Sequence, residues 1–375
     1  MDDYFSAIRP YSEKEATEAF KQLFQCEDFI NALRLFEPKI NVEKILKEAH
    51  NYQSIYDFQK AVAKDFVEYF IDETTAGVTF SGLENLDPNK NYLFLANHRD
   101  IVFDTALLQY YFMVNDYQTS KIAIGDNLLA TPLLEVVGKI NKMITVKRSV
   151  SIREKLENYR ILSEYIHYSI EKERQSVWIA QRNGRTKNGI DKTQHGLMKM
   201  LSMSDSKDAV ASLKKINIVP VSVSYELEVC DNLKARELAI SEHMTYEKKP
   251  GEDFESIRQG LFGQKGRVSL VIGKVINDEL DTIPDDMLAK DKIEMACDIA
   301  DRQIYANYQL YPTNYIAYDL LHETDDFANH YTIEEKESFV TYLNNQSICP
   351  DVTEKKMQSN LLQIYANPVK IIENK

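Results

Sequence analysis

The chain has 375 residues, 44% of them hydrophobic, and a formal net charge of −13 at pH 7. A chain of this length and composition can bury a large core, and it more often folds as two or three cooperating parts than as one small domain. The acidic charge argues against nucleic acid as a partner, because a negatively charged protein is repelled by the phosphate backbone.

The spacing of the cysteines and the lack of long apolar segments indicate the cellular compartment of the protein. The four cysteines are Cys26, Cys230, Cys297 and Cys349. They show neither paired spacing nor a Cys/His pattern typical of a zinc site, so we expect reduced thiols in the cytosol. No N-terminal apolar segment and no run of about eighteen apolar residues occurs, which predicts a protein without signal peptide or membrane span.

The first part of the chain, residues 1–76, is predicted to be a helical N-terminal region. Ser12 and Glu15 have the spacing of a capping box that precedes an amphipathic segment. Between residues 55 and 70, apolar side chains recur near the helical period, as in a helix with one buried face. We interpret this region as a packed helical subdomain.

Residues 77–280 are predicted to form an α/β domain, because strand and helix patterns alternate along them. The predicted strands span residues 78–80, 92–96, 121–124, 143–146, 176–180, 216–225 and 267–275. The predicted helices span residues 101–113, 131–140, 152–170 and 208–214. This alternation predicts a mixed, largely parallel sheet flanked by helices.

The last part, residues 281–375, is predicted to be a helical C-terminal region. Residues 293–306 and 333–343 have helical periodicity, whereas residues 311–315, Tyr-Pro-Thr-Asn-Tyr, are typical of a turn. The fold class predicted for the whole chain is therefore α/β, with helical extensions at both ends.

The strand predicted at residues 92–96 is followed by a polar cluster, which includes Asn97, His98 and Asp100. Open α/β sheets bind ligands at the carboxyl ends of their strands. Asn97 or Asp100 could cap the following helix, whose first N–H groups would then face a developing anion. A carboxylate beside His98 would fix its tautomer and raise its basicity, as a general base requires. A capping or surface role for a lone histidine is the competing interpretation.

Two groups of cations follow or adjoin later strands. The first group is Lys139, Lys142, Lys147, Arg148 and Arg153, and the second is Arg182, Arg185, Lys187 and Lys192. We expect both groups to converge near the edge of the sheet that carries the histidine. Converging cations suit a phosphate-bearing substrate, which an arginine can bind with two hydrogen bonds. Two solvated loop faces are the alternative interpretation.

The order of these motifs resembles that of the glycerolipid acyltransferases, which include the glycerol-3-phosphate and lysophosphatidate acyltransferases. The likeness covers about residues 78–276. It includes Asn-His-Arg-Asp after a strand, a strand ending in Arg148, a Gly-Arg-Thr-Lys-x-Gly loop, and an Ile-Val-Pro-Val strand. It is greatest to bacterial members without a transmembrane segment that carry Asn-His-Arg-Asp-Ile-Val-x-Asp. The ordered set is much more specific than any one short motif.

The resemblance implies a role for each matching residue. His98 corresponds to the family's catalytic histidine, and Asp104 to its partner carboxylate. Arg148 lies where the second motif has an arginine that binds the acceptor. The third motif's glycine, phosphate-binding arginine, hydroxyl residue and closing residues correspond to Gly184, Arg185, Thr186, Lys187 and Gly189.

The chain departs from the family pattern at two places. Five residues rather than the usual four separate His98 from Asp104, so either a local irregularity absorbs the extra residue or Asp100 acts as the partner. Asn183 stands where the third motif usually has a glutamate, a change that would alter acceptor binding or weaken activity. Asn183 and Arg99 remain among the residues expected to bind substrate.

The resemblance implies transfer of a fatty acyl group from an acyl thioester to a hydroxyl of a phosphate-bearing glycerolipid precursor. The donor would be acyl-CoA or an acyl carrier protein, and no metal or other cofactor is expected because a thiolate leaves readily. We expect a cytoplasmic protein with peripheral contact to the inner face of the cell membrane. Two alternatives stay open: a hydrolase that uses the same histidine, and a weakly active or inactive homologue that binds a lipid or phosphate.

Overall fold

A sheet of seven strands forms the centre of the computed structural model, which describes residues 4–148, 151–204 and 208–373. The strands are β1 (Val78–Ser81), β2 (Leu93–Ala96), β3 (Lys121–Gly125), β4 (Met143–Val146), β5 (Val177–Ala180), β6 (Ile218–Tyr225) and β7 (Val268–Ile272). Their order across the sheet is β1-β7-β6-β2-β5-β3-β4. Only the β6–β7 pairing within this sheet is antiparallel. The predicted fold class, a mixed and largely parallel sheet flanked by helices, is confirmed.

Helices precede, flank and follow the sheet. Those before it are α1 (Glu13–Leu23), α2 (Glu27–Arg34), α3 (Val42–Glu48), α4 (Ile55–Phe58) and α5 (Lys64–Thr74). Those among the strands are α6 (Phe103–Val114), α7 (Pro132–Ile140), α8 (Ile152–Glu171), α9 (His195–Leu201), α10 (Ala209–Lys215), α11 (Asp231–Ser241) and α12 (Glu252–Phe262). Those after it are α13 (Asn277–Leu280), α14 (Ala289–Ala306), α15 (Pro312–His322), α16 (Ile333–Gln346) and α17 (Glu354–Ile372).

Strand β2 is buried on both faces, because helices cover the sheet on each side. Leu93 and Leu95 belong to the apolar cluster formed with α8, α9 and α14. Phe94 and Ala96 belong to the cluster on the opposite face, which includes α6. This explains the continuous apolar run in the sequence, which is typical of a parallel strand between two helical layers. The chain therefore leaves β2 at the carboxyl edge of the sheet with helices on both sides.

The N-terminal helices pack around an apolar cluster of their own, which α7 joins. The predicted capping box is formed at the start of α1: Ser12 N donates to Glu15 Oε2 over 2.7 Å, and the Ser12 hydroxyl accepts from Glu15 N. Phe58 and Val62, from the predicted apolar stripe, are buried in this cluster. The helical region ends at Thr74, just before β1.

The C-terminal helices pack in two groups. Helix α14 packs against the same face as α8, whereas α15, α16 and α17 form an apolar cluster with α11. The turn predicted at residues 311–315 is wrong, because Pro312 is the first residue of α15. Proline is well suited to that position, since its fixed φ matches the first helical turn and its missing N–H is not needed there.

Candidate active site

The imidazole of His98 lies directly after β2 and is paired with Asp104 in the first turn of α6. His98 Nδ1 is 3.0 Å from Asp104 Oδ2, and the side chain of His98 is 13% exposed whereas that of Asp104 is fully buried. A carboxylate at this distance holds the proton on Nδ1 and leaves the lone pair on Nε2. Nε2 has no hydrogen-bond partner among the described residues. The pair therefore has the geometry of a general base and the group that orients it.

The Asp104 carboxylate is fixed by hydrogen bonds to both of its oxygens. Oδ2 accepts from the backbone N–H groups of Arg99 at 2.7 Å and Asp100 at 2.9 Å, in addition to the contact with His98. Oδ1 accepts from the hydroxyl of Tyr225, the last residue of β6, at 2.7 Å. These donors stabilise the ionised carboxylate in a buried position.

The extra residue between His98 and Asp104 is accommodated by a bend that Asp100 closes. Asp100 Oδ1 accepts from Val102 N at 2.8 Å and Phe103 N at 2.5 Å, so it caps the entry to α6. Asp100 therefore shapes the loop, while Asp104 contacts the imidazole. The N–H groups of Arg99, Asp100, Val102 and Phe103 are occupied by the two carboxylates, so these four are not free to face a developing oxyanion.

The guanidinium of Arg99 points into the protein rather than toward a substrate. It is 1% exposed and is held by Asp191 Oδ2 at 2.6 Å, Glu228 Oε2 at 3.0 Å and the Gly189 carbonyl at 3.2 Å. Burial disfavours its charge, but Asp191 and Glu228 raise its pKa well above the usual value. Arg99 is therefore an internal cation that ties the histidine loop to its neighbours, in place of the expected contact with substrate.

The third-motif loop is attached to the histidine loop through its backbone. Thr186 N donates to the His98 carbonyl over 2.7 Å, and the Thr186 hydroxyl donates to Asp191 Oδ1 over 2.6 Å. The side chain of Thr186 is fully buried, so it holds the loop rather than facing solvent. Gly189 has a φ of +77°, and a Cβ there would lie 2.1 Å from the Ile364 carbonyl. Gly189 thus allows the loop to pack against α17.

Gly184 has a different environment from Gly189. Its φ is +76°, and no heavy atom lies within 4 Å of where a Cβ would be. The neighbouring Arg185 is half-buried, and its Nη1 atom is buried without a hydrogen-bond partner in the described part of the chain. A buried guanidinium N–H group without an acceptor costs free energy, unless an anion accepts its hydrogen bond. The phosphate-binding role of this part of the loop stays a prediction.

Asp253, at the start of α12, lies among the cations of the site. Its carboxylate accepts from Asn127 Nδ2 at 2.9 Å and from Lys248 Nζ at 2.5 Å. Burial opposes its ionisation, but these two contacts and the charge of Arg185 lower its pKa. Partial burial lowers the pKa of Arg148, and the carboxylates of Asp126 and Asp253 oppose that change. Arg148 and Arg185 therefore both lie near the carboxylate of Asp253.

Lys187 lies near the same cluster of cations. It forms an ion pair with Glu237 on α11. Burial lowers its pKa, and the nearby charges of Lys248, Arg185 and Arg182 act in the same direction. The second predicted cation group thus clusters at residues 182–187, together with Lys248, which the sequence had not indicated.

Other members of the two cation groups lie elsewhere. Lys139 donates to the Arg9 carbonyl at 2.5 Å, and the buried Lys142 donates to the Thr119 carbonyl at 3.2 Å. Both stabilise backbone carbonyl groups, so the prediction that the first group converges as a whole is wrong. Lys192 is exposed. The side chain of Arg153 lies outside the described residues.

Arg148 and Asn183 both line a cavity of about 510 Å³ at the carboxyl ends of β3, β4 and β5. Arg148 follows β4, and its guanidinium lies so close to Gly125 that a Cβ there would be 2.6 Å from Arg148 Nε. Asn183 is exposed, and its backbone N–H donates to Gln194 Oε1 over 2.8 Å. His98 is not among the residues that line this cavity.

Sequence reasoning missed the buried residues that hold the site together. Tyr225, Asp191, Glu228 and Lys234 are at most 4% exposed, and Lys234 Nζ donates to Glu228 Oε1 at 2.6 Å and to the Arg99 carbonyl at 2.8 Å. Asp191 follows the Gly-Arg-Thr-Lys loop closely enough to have been noticed as its acidic neighbour. The other three carry no local pattern, because their roles depend on contacts that are distant in sequence.

Comparisons with known proteins give one family match and one similar solved structure. Residues 77–224 match the family model described as Acyltransferase, which supports an acyltransferase domain over that part of the chain. The crystal structure of the 1-acyl-sn-glycerophosphate (LPA) acyltransferase PlsC from Thermotoga maritima aligns with 79% of this chain and 98% of its own, at 13% identity and a TM-score of 0.36. No curated protein gives a significant match.

Two further features concern membranes and metals. Over the described ranges, no helix is both long and apolar enough to cross a bilayer. Within the same residues, no group of three or more His, Cys, Asp or Glu side chains is arranged to hold a metal ion.

Proposed function

We propose that this protein is an O-acyltransferase that moves a fatty acyl group from an acyl thioester to a hydroxyl of a phosphate-bearing glycerolipid precursor. The observation that carries the proposal is the pairing of His98 Nδ1 with Asp104 at 3.0 Å, which leaves Nε2 as the open nitrogen. The match of residues 77–224 to the Acyltransferase family model supports it. The phosphate preference is supported by Arg185, whose buried Nη1 lacks a partner within the described chain.

The reaction requires one general base, which accepts the proton of the acceptor hydroxyl and later donates it to the departing sulfur. His98 Nε2 takes the proton of the acceptor hydroxyl while the oxygen attacks the thioester carbonyl. The tetrahedral intermediate then collapses, the C–S bond breaks, and the imidazolium gives the proton to the departing sulfur. Asp104 keeps the imidazole oriented and stabilises its cation in both steps. The thiolate is a good leaving group, so the enzyme requires no covalent intermediate.

The acceptor phosphate is proposed to lie against Arg185, with Arg148 and Lys187 as further cations. Asp253 lies near both Arg148 and Arg185 and offsets part of their charge. Phosphate oxygens would complete the hydrogen bonding of Arg185, which the protein leaves incomplete. Asn183 is proposed to contribute a neutral contact where related enzymes have a carboxylate.

The partners follow from this chemistry. We propose an acyl-CoA or an acyl carrier protein as donor, and peripheral contact with a membrane because the product is a lipid. A hydrolase remains the second candidate function, since the open Nε2 of His98 could equally activate water. The extra residue before Asp104 gives no reason to expect inactivity, because the contact between the two side chains is formed.

A transfer assay tests the proposal. Radiolabelled acyl-CoA and acyl carrier protein are each offered with glycerol-3-phosphate, lysophosphatidate or an amino-lipid, and the products are separated by chromatography. Labelled product with a phosphate-bearing acceptor is expected. Free fatty acid without acylated product would assign a hydrolase instead. No turnover with any pair, from protein that is folded by circular dichroism, would refute an enzymatic role.

A further inference from the structure

We infer that helix α17 holds the third-motif loop, residues 184–189, in the position that binds the acceptor, and that Asn367 is a positioning residue for this loop. The inference rests on the proposed function, because that function gives the loop its role in binding the acceptor phosphate. Helix α17 spans Glu354–Ile372 and lies outside residues 77–224, which match the family model. Its role in the site would therefore be a property of this chain rather than of the matched domain.

The side chain of Asn367 is hydrogen-bonded to the backbone of the loop. Its Nδ2 atom donates to the Asn188 carbonyl over 2.7 Å. Asn188 follows Arg185 closely in the loop, and Arg185 is the cation proposed to bind the acceptor phosphate. Because Asn367 contacts the backbone, it restrains the course of the whole loop rather than the rotamer of one side chain.

Pro368 lies where the loop approaches the helix. Proline has no backbone N–H, so the Ile364 carbonyl lacks the donor that an uninterrupted helix would supply at this position. Gly189 packs at this interruption: a Cβ on it would lie 2.1 Å from the Ile364 oxygen and 3.2 Å from Pro368 Cδ. The loop and the helix are therefore in backbone contact, in addition to the hydrogen bond from Asn367.

The loop needs a restraint because its cations repel one another. The charges of Lys248, Arg185 and Arg182 all act to lower the pKa of Lys187, which means that they disfavour its protonated form. With no anion bound, this repulsion favours a more open loop. A hydrogen bond from α17 opposes the opening. It thereby reduces the free energy needed to bring the cations together when a phosphate binds.

The same part of α17 also contacts the segment that holds Arg99. The hydroxyl of Tyr365 accepts from Glu228 N at 2.9 Å, and the Glu228 carboxylate accepts from the Arg99 guanidinium at 3.0 Å. Arg99 in turn donates to the Gly189 carbonyl over 3.2 Å. Helix α17 therefore contacts both ends of a series of hydrogen bonds that joins the third-motif loop to the histidine loop.

Hydrogen exchange and kinetics of the full-length protein test the inference. Asn367→Leu removes the donor and retains a side chain of similar size. Loss of one hydrogen bond should make amide exchange at residues 184–191 about fivefold faster by mass spectrometry, and should raise the KM for the acceptor about fivefold. We expect kcat to change less than about twofold, because His98 and Asp104 form no hydrogen bond with α17 within the described chain.

Asn360→Ala is the matched control on the same helix. Asn360 Nδ2 also donates to a backbone carbonyl, that of Ala235 on α11, over 2.9 Å. This variant should lower stability but leave loop exchange and the acceptor KM as in the wild type. Gly189→Ala is a second test from the side of the loop. Its methyl group would collide with the Ile364 carbonyl, so the loop must move away from α17 and the acceptor KM should rise.

Two results would overturn the inference. Unchanged exchange at residues 184–191 in folded Asn367→Leu would show that α17 does not hold the loop. Faster exchange with an unchanged acceptor KM would show that the position held by α17 does not matter for binding.

Failure of the proposed function gives a different result, namely no acyl transfer by the wild type. Calorimetry with inorganic phosphate then replaces the KM. The inference still requires that the wild type binds phosphate and that Asn367→Leu binds it about fivefold more weakly. No phosphate binding by the wild type, or equal affinity in the variant, would overturn it.

Discussion

The hydroxyl of Tyr225 donates a hydrogen bond of 2.7 Å to Asp104 Oδ1, on the carboxylate that also faces His98. Tyr225 is the last residue of β6 and is 1% exposed. Burial raises its pKa well above the usual value, and the adjacent Asp104 adds to this change. Tyr225 therefore remains protonated and donates over the whole working pH range, so β6 holds the carboxylate that orients the histidine.

Replacing Tyr225 with phenylalanine should affect both stability and turnover. The substitution leaves one buried carboxylate oxygen without its donor, which costs about 1–3 kcal/mol of unfolding free energy. We expect kcat to fall about tenfold, because Asp104 is held less firmly. Urea unfolding and steady-state kinetics measure the two effects. Tyr165→Phe, which removes a buried hydroxyl that contacts Lys121, is the matched control and should lower stability alone. An unchanged kcat in Tyr225→Phe would contradict the positioning role.

Separate substitutions of the two carboxylates distinguish their roles. Asp104→Asn removes the charge that orients His98 and stabilises its cation, so kcat should fall roughly 10³–10⁴-fold. Asp100→Asn retains an oxygen that can accept from Val102 N and Phe103 N, so kcat should fall less than about tenfold. The kinetics of the two purified variants decide between them. A larger loss in Asp100→Asn would assign the partner role to Asp100.

Truncation of Arg99 should mainly reduce stability. Arg99→Ala leaves Asp191 and Glu228 as buried carboxylates without their main cation, which costs about 3–5 kcal/mol. Thermal and urea unfolding measure this loss. If Arg99 instead bound substrate, the variant would keep its stability and show a raised KM for the acceptor. That result would contradict the internal role that the structure gives to Arg99.

The sequence predicts the centre of this protein better than its periphery. Strand β2 and the residues after it are recognisable because a buried parallel strand is continuously apolar and ends on polar groups. The pairing of His98 with a carboxylate was predicted as a choice between Asp100 and Asp104. Side-chain hydrogen bonds to backbone N–H groups determine that choice, and they cannot be read from spacing.

Other features could not be predicted because they depend on tertiary contacts. Helices α11, α12 and α17 were not identified. The region of α11 gives little helical signal, because its apolar and polar residues do not segregate to two faces: the buried face includes Asp231 and Lys234. Arg99 looked like a substrate ligand because its partners, Asp191 and Glu228, are about 90 and 130 residues away. Lys139 and Lys142 looked like members of a cation patch, yet both are buried against backbone carbonyl groups.

The stability of the C-terminal helices should depend on pH through Asp231. Burial raises the pKa of Asp231 to about 6, and hydrogen bonds from Tyr365 and Tyr342 oppose that change. Because the folded pKa exceeds the unfolded value of about 4, the folded state binds the proton more tightly. The stabilising contribution of protonated Asp231 to the free energy of unfolding is fully present below pH 4. It is lost as the pH rises through 6, by on the order of 3 kcal/mol.

Asp231→Asn provides the comparison that isolates this effect. The variant lacks the titrating group, so the difference in unfolding free energy between wild type and variant should favour the wild type more at pH 5 than at pH 8. Urea unfolding at several pH values measures the difference. A difference that stays constant between pH 4.5 and pH 8 would show that Asp231 does not titrate in this range.

The most direct test of the account is acyl transfer by His98→Ala. The variant removes the open Nε2 while leaving Asp104 bound by Arg99 N, Asp100 N and Tyr225. With the donor and acceptor pair that the wild type uses, kcat should fall about a thousandfold, the unfolding midpoint should stay the same, and added imidazole should restore part of the rate. Near wild-type turnover by the folded variant would contradict the assignment of His98 as the general base.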